Sequence, residues 1–440
     1  MKSIQVGLLG IGTVGSGTFN VLARNQQEIR RRAGRGIEIC MVAARSLQRA
    51  RAIVGPEMRF VSDPFELVNN PDVDIVVEVM GGTTLARDLV LKAIANGKHV
   101  VTANKALLAM HGNEIFAAAQ AQGVMVAFEG AVAVSIPIIK ALREGLSANR
   151  IEWVAGIING TTNFILSEMR DKGLDFAAVL KQAQALGYAE ADPTFDIEGI
   201  DAAHKATILS AIAFGTPVQF DKAYVEGIVN LAATDISYAF QLGYRIKLLG
   251  ITKRTVHGIE LRVHPTLIPI KRLLANVEGS MNGIMVKSDA AGITMYYGAG
   301  AGSEQTASAV IADLVDVTRL HTADAAQRVP HLAFQPDAMS NTPVLPMGDV
   351  ITSYYLRLNV ADEAGVLANV TSILANANIS IDAVLQREAD EVGGEGATQT
   401  DLIILTHDCA EAKMNEALSQ MQALSTVLAP IVRIRKEELA

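Results

Sequence analysis

Short apolar runs alternate with amphipathic stretches through the first third of the chain. Residues 3–9 read as a buried strand, and a glycine-rich turn follows before helical spacing over 18–32. Apolar runs recur at 37–44, 74–80 and 97–105, with helical spacing at 85–96 and 106–122. Val- and Ile-rich strands that alternate with helices predict a parallel sheet covered on both faces. The middle third changes character. A strand over 151–158 leads to helices over 164–172, 176–186 and 200–213, and then strands follow one another at 245–252, 258–264, 282–287 and 292–298. This order predicts a mixed α+β unit with an open sheet, whose exposed face or edge suits a dimer contact. A helix over 306–319 returns the chain to the first unit. Prolines at 330, 336, 343 and 346 mark a linker. Beyond it, strands at 353–360, 379–388, 401–407 and 427–433 and helices at 366–377 and 409–422 make a βαββαβ succession, a split ferredoxin-like sandwich. Gly393, Gly394 and Gly396 predict a hairpin tip over 391–399.

The first turn reads Gly10-x-Gly12-x-x-Gly15, with Thr13 and Val14 inside it, between a strand and a helix. Gly10 permits the tight turn, Gly12 lets the backbone approach a pyrophosphate, and Gly15 lets helix and strand pack closely. Strand before and helix after supply the context a dinucleotide site needs. The second strand ends at Arg45-Ser46 and not at an acidic residue, with Arg49 and Arg51 beyond. An acid there suits the ribose hydroxyl of NAD, whereas an arginine suits a 2′-phosphate, so the pattern favours NADP or dual use. Three solvated arginines starting a helix are the plainer reading. Ligands of open α/β sheets sit beyond the carboxyl ends of strands, which makes Thr83 and Lys105 candidate site residues. Lys105 also reads as an exposed residue starting a helix. A second glycine-rich turn, residues 298–302, opens the helix at 306 and places Gly302 near the cofactor.

The densest chemistry lies over 186–205. Glu190, Asp192, Asp196, Glu198 and Asp201 crowd a segment that Pro193 and Gly199 mark as irregular, and Lys205 closes it. Asp201 and Lys205 share a helical face that continues as Ile208, Leu209 and Ile212, so the pair heads an apolar stripe and is part-buried. Carboxylates there can hold a cationic amino-acid group while an amine moves a proton. A solvated acidic loop before an ordinary ion pair is the alternative. Upstream, the polar run 159–163 after a strand can orient a small substrate or nicotinamide, or can simply cap its helix. Glu129 sits among small and apolar residues and needs a partner, which a monovalent cation with backbone carbonyls, a lysine or backbone amides could provide.

The 440 residues suffice for two or three domains. No run of 18 apolar residues predicts a membrane span, and a net charge of −8 argues against nucleic acid as the main partner. Cys40 and Cys409 form no framework, and the eight histidines form no zinc motif. The expectation is a soluble, cytoplasmic protein.

Six blocks, Gly10–Gly15, 102–105, 159–163, 187–193, 196–205 and 300–302, occur in an order that resembles homoserine dehydrogenase over nearly the whole chain. That family interconverts L-homoserine and L-aspartate 4-semialdehyde with NAD(P), on the route to threonine, methionine and isoleucine. The resemblance implies that Lys105 and Lys205 are the catalytic lysines, with Lys205 the usual proton donor and Asp201 and Asp196 acidic companions. It implies that Glu190 binds substrate beside Thr161, and that Glu129, with backbone oxygens near Val132, Val134 and Ile136, holds sodium. Gln305 stands where the family commonly has proline, and Arg45-Ser46 replaces a commoner Arg-Asp. The run Asp362-Glu-Ala-Gly365-Val366-Leu resembles an ACT domain, which binds amino-acid effectors near that glycine, threonine being the expected one. The expected organisation is a Rossmann-type domain over 1–135 completed by 303–320, and an α+β catalytic and dimerisation domain over 136–302. A linker over 321–350 and an ACT domain over 351–440 complete it, in a homodimer or homotetramer. A related semialdehyde dehydrogenase, or a catalytically silent amino-acid sensor, are the alternatives.

Overall fold

The computed structural model describes residues 2–387 and 398–439, apart from the side chains of Leu47 and Arg49. The predicted hairpin tip thus lies almost wholly outside the described residues, as does the Arg49 side chain. Six parallel strands form the first sheet: β1 (Ile4–Leu9), β2 (Ile37–Ala43), β3 (Arg59–Val61), β4 (Ile75–Glu78), β5 (His99–Thr102) and β6 (Val126–Ala127). Their order is β3-β2-β1-β4-β5-β6, which reverses at β1 and opens a crevice beyond the strand ends there. All of β4 and β5 is buried, as two covered faces require of an apolar strand.

The helix predicted over 18–32 is two helices, Thr13–Arg24 and Gln26–Ala33, separated at Asn25. It starts early because its glycines serve contact and not only turning. A Cβ on Gly15 would lie 2.2 Å from the Gly10 carbonyl oxygen, and one on Gly17 would lie 2.5 Å from that of Ser303. The Ser303–Leu320 helix packs there, with Ser303 Oγ donating to the Thr13 carbonyl at 2.6 Å and Glu304 paired with Arg24.

The second sheet holds β7 (Ile151–Ile157), β8 (Tyr224–Val225), β9 (Tyr244–Arg254), β10 (Ile259–Pro269), β11 (Met281–Ser288) and β12 (Gly292–Ala299). The C-terminal unit contributes β13 (Ile351–Ala361), β14 (Ile381–Gln386), β15 (Gln399–Thr406), β16 (Cys409–Ala410) and β17 (Val432–Lys436). Its helices are Val366–Asn376 and Glu411–Gln422. These strands form one eleven-stranded sheet, because β17 pairs antiparallel with β13 and parallel with β10. The last strand therefore starts five residues later and ends three residues later than the predicted 427–433. Pro430 lacks the N–H that a strand flanked on both sides must donate. The shifted register also buries Arg435, whose guanidinium binds both oxygens of Glu411, Glu226 at 2.7 Å and the Tyr224 hydroxyl at 3.0 Å.

The segment between the two units lies against the protein. Leu332 is buried, His331 stacks on Phe116, Phe334 covers Gly215, and Ile259 N donates to the Pro343 carbonyl at 2.9 Å. His99 Nδ1 accepts from Met125 N at 2.9 Å, and His331 Nε2 accepts from Val126 N at 3.1 Å. Burial, with lesser repulsion from neighbouring cationic groups, pushes both imidazoles down to about 4. The folded state thus binds fewer protons than the unfolded one, and stability falls as pH drops through 6.5 toward 4. Each ring contributes up to about 2 kcal/mol of that loss between pH 6.5 and 5. Urea midpoints at pH 7.5 and 5 will show it, and His331→Gln, whose amide oxygen still accepts, will flatten the fall. Identical slopes in the two proteins would remove His331 from the account.

Candidate active site

The acidic segment condenses at the start of the Ile200–Phe214 helix. Strands β7, β9 and β10 and the Lys105–Gln122 helix enclose it, so every residue from Asp201 to Phe214 is buried and not one stripe alone. Lys205 Nζ donates to Asp201 Oδ2 and to the Ile158 carbonyl, each at 2.7 Å. Lys105 Nζ reaches the other oxygen of Asp201 at 3.0 Å. Lysines a hundred residues apart in sequence thus share one carboxylate. Asn159 locks it in place, because its Nδ2 donates to Asp201 Oδ2 at 2.9 Å and to Asp196 Oδ1 at 2.7 Å. Its Oδ1 accepts from Thr162 N at 2.8 Å and so caps the Gly160–Lys172 helix. The polar run 159–163 is therefore a cap and part of the site at once.

The electrostatics separate the two amines. Burial lowers the Lys205 ammonium and outweighs the attraction of Asp201, while the Lys105 charge lowers it further. Burial acts on Lys105 as well, but Asp201, Asp196 and Glu190 together raise it above the usual lysine range. Burial would raise Asp201, yet the charges of Lys205 and Lys105 and the hydrogen bonds from Lys205 and Asn159 hold it far below the carboxylate range. Asp196 moves up through burial and repulsion from Asp201. One lysine is thus a firm cation and its neighbour the readier proton acceptor.

Other predicted residues stand further out. Glu190 is exposed on the rim, and among the described residues its carboxylate makes no ion pair. Thr161 Oγ1 donates to the Tyr188 carbonyl at 2.8 Å and ties the Gly160–Lys172 helix to the acidic segment. Between Pro193 and Gly199 a short helix, Thr194–Ile197, replaces the predicted irregular loop.

A homoserine dehydrogenase family model matches residues 137–315, that family's NAD-binding domain matches 10–129, and an ACT domain matches 354–425. The chain is 60% identical over 439 residues to the homoserine dehydrogenase of Pseudomonas aeruginosa, covering 100% of both. The crystal structure of a homoserine dehydrogenase from Thiobacillus denitrificans superposes with a TM-score of 0.95 at 64% identity, covering 100% of this chain and 99% of that one. The chain belongs to the homoserine dehydrogenase family. A hyperthermophilic archaeal homoserine dehydrogenase solved in complex with NADPH is 25% identical, with a TM-score of 0.63 over 74% of this chain and 100% of that one.

As a member of this oxidoreductase family the chain carries a crevice of about 670 Å³ beyond β1, lined by Gly10, Gly12, Arg45, Ser46, Gly81 and Gly82 among others. It fits a dinucleotide. Gly12 caps the Thr13–Arg24 helix without a side chain, so first-turn amides face outward for phosphates, and a Cβ there would meet open space. Thr83 sits at the N-cap position of the Thr84–Ala95 helix without a side-chain capping bond, and Gly302 sits at the Ser303 helix start with φ +133°. Gln305 folds its amide to within 2.1 Å of where a Gly302 Cβ would be.

Glu78 was missed in an apolar strand run, although an acid among Val and Ile was its signal. Fully buried at the end of β4, it accepts from Met80 N at 3.0 Å, Gly81 N at 3.2 Å and Thr102 Oγ1 at 2.7 Å. Asn104 Nδ2 donates to the Gly82 carbonyl at 2.7 Å. These bonds tie the Gly81–Gly82 turn, which lines the crevice, to the one that carries Lys105. Glu129 is buried too, and its two oxygens accept from Ile139 N and Lys140 N at 2.9 Å each. Backbone amides are therefore partners of its side chain. Nearby Ala133 and Val134 have φ of 52° and 48°, and among the described residues no main-chain amide donates to the Val132 or Val134 carbonyls.

Proposed function

We propose that this chain interconverts L-homoserine and L-aspartate 4-semialdehyde with NADP as the preferred dinucleotide and NAD as a usable one. The observation that carries the reading is Asp201 shared between a raised and a lowered lysine. Oxidising a primary alcohol needs a proton acceptor and a group that holds the amino acid. Lys205, lowered by burial, takes the hydroxyl proton: as the neutral amine it spends its two N–H bonds on Asp201 and the Ile158 carbonyl, and its lone pair is the position left for the substrate hydroxyl. Lys105 stays charged and steadies the substrate oxygen. Glu190 and Asp196, with Thr161 holding their segment, bind the substrate ammonium. When bound, the nicotinamide exchanges the hydride. Arg45 lines the cofactor crevice and none of the described lining residues is acidic, which supports a 2′-phosphate.

The carbonyls of Val132, Val134 and Ile136, with the main chain of Glu129, are the proposed seat of a sodium ion. The left-handed turn at Ala133 and Val134 supports this, although the Ile136 carbonyl also accepts from Ile138 N at 2.8 Å. Threonine is the proposed effector, held near Asp362, Gly365 (φ +93°) and Val366 at the start of the Val366–Asn376 helix. The place of the reaction is threonine, methionine and isoleucine synthesis in the cytoplasm, by a homodimer or homotetramer. Exposed Ile293 and Tyr297 on β12 support a subunit contact, and no helix among the described residues is long and apolar enough to cross a membrane. Homoserine oxidation is to be assayed with each dinucleotide, with and without threonine. The expected result is a higher kcat/KM with NADP and inhibition by threonine; no turnover with either would overturn the reading in favour of a silent sensor.

A further inference from the structure

An aromatic residue beside the shared carboxylate is unused by the mechanism above. Phe195 lies in the short Thr194–Ile197 helix, next to Asp196 in sequence, and is 39% exposed. Lys105 Nζ stands 5.6 Å from the centre of its ring, within cation–π range. The ring in turn meets His204 edge-on at 5.3 Å, and His204 meets Phe220 edge-on at 4.4 Å. His204 is buried, and its Nδ1 has no hydrogen-bond partner among the described residues. Burial first, then the two lysine charges against Asp201, bring it down to about 4, so it is a neutral ring at working pH. With Nδ1 unpartnered, the neutral ring packs between Phe195 and Phe220.

We propose that Phe195, buttressed by His204 and Phe220, is a positioning residue for Lys105. The Lys105 side chain is a third exposed, and its one ion pair among the described residues is to Asp201. A four-carbon stem with a single anchor can swing, and the ring face is the second anchor. It favours the ammonium form and aims the donors that Asp201 leaves free. The inference rests on the reading of Lys105 as the cation that steadies substrate oxygen. Groups facing Lys105 are Asp201, Asp196 and Glu190 as anions, Lys205 as an amine lowered by burial and neutral in the working state, and neutral His204.

The test is the pH dependence of kcat for homoserine oxidation in the full-length enzyme at saturating substrate. Lys205 must be neutral and Lys105 charged, so the alkaline limb reports Lys105. Phe195→Leu keeps an apolar side chain but no ring. The expected result is an alkaline limb about half to one unit lower and kcat reduced about three- to tenfold. Phe195→Trp should keep the limb at or above its original place. Fluorinated phenylalanine at 195 preserves shape while removing the ring's negative face, and should lower the limb stepwise with fluorine count. A limb that ignores both the leucine and the fluorine series would overturn the proposal, as would equal losses in the leucine and tryptophan variants. Lys105→Met separates the two levels: full activity in that variant would sink the reading of Lys105 itself, and its loss alone leaves the question of Phe195 to the ring series.

Discussion

Lys205→Met is expected to cut kcat for homoserine oxidation by about 10²–10⁴-fold, the range a positioned acid–base group supplies. Cofactor affinity should hardly change, because among the described residues Lys205 donates only to Asp201 and the Ile158 carbonyl. The fold should survive the change. Methionine fills similar space, and Asp201 keeps the Lys105 ion pair at 3.0 Å and the Asn159 amide at 2.9 Å. Steady-state kinetics beside fluorescence titration of NADPH will separate the two effects. Wild-type turnover in this variant would show that another group moves the proton, and Lys105 would be the next to examine. The physical ground is the asymmetry of the pair: burial lowers Lys205, whereas three carboxylates raise Lys105.

Arg435→Met is expected to destabilise the protein by about 3–5 kcal/mol. The side chain is fully buried and its guanidinium holds both oxygens of Glu411 along with Glu226 and Tyr224. Methionine would leave the buried Glu411 carboxylate with the Tyr354 hydroxyl and the more exposed Arg433. The damage should not stay in the C-terminal unit. Glu226 follows β8, and Gly227 packs against the Ile197 carbonyl so closely that a Cβ would lie 2.2 Å from it. Ile228 N donates to that carbonyl at 2.8 Å, one residue from Asp196. Denaturant midpoints should therefore fall while the KM for homoserine rises more than that for the dinucleotide. A midpoint within experimental error of the wild type would show that the charge cluster adds nothing to the docking of the two units.

The two lysines and Asp201 could be picked out from a linear pattern because an i,i+4 pair and a strand-end lysine have fixed places on their own elements. Their meeting could not, since nothing local states that Ile158 and Asn159 will lie beside the helix that begins at Ile200. Glu78 and Asn159 were harder still. A strand acid and a helix cap have ordinary local meanings, and only the packing of β4 against β5, or of β7 against the Ile200–Phe214 helix, gives them partners from distant segments. Phe195 and His204 carry no local signal of a shared role, because only the fold brings the ring of the short Thr194–Ile197 helix against the imidazole.

Sequence alone determined the parallel front sheet, the glycine turn, the helix that carries Asp201 and Lys205, and the βαββαβ order of the tail. Those features follow from periodicity and backbone sterics, which act over a few residues. Tertiary structure decided that Glu129 is satisfied by amides, that one carboxylate serves two lysines, and that β17 closes the catalytic sheet against β10. Each of these is a pairing of groups far apart in the chain. A buried charge or an unpaired strand edge demands a partner but does not name it, and the fold supplies whichever one its packing brings within reach.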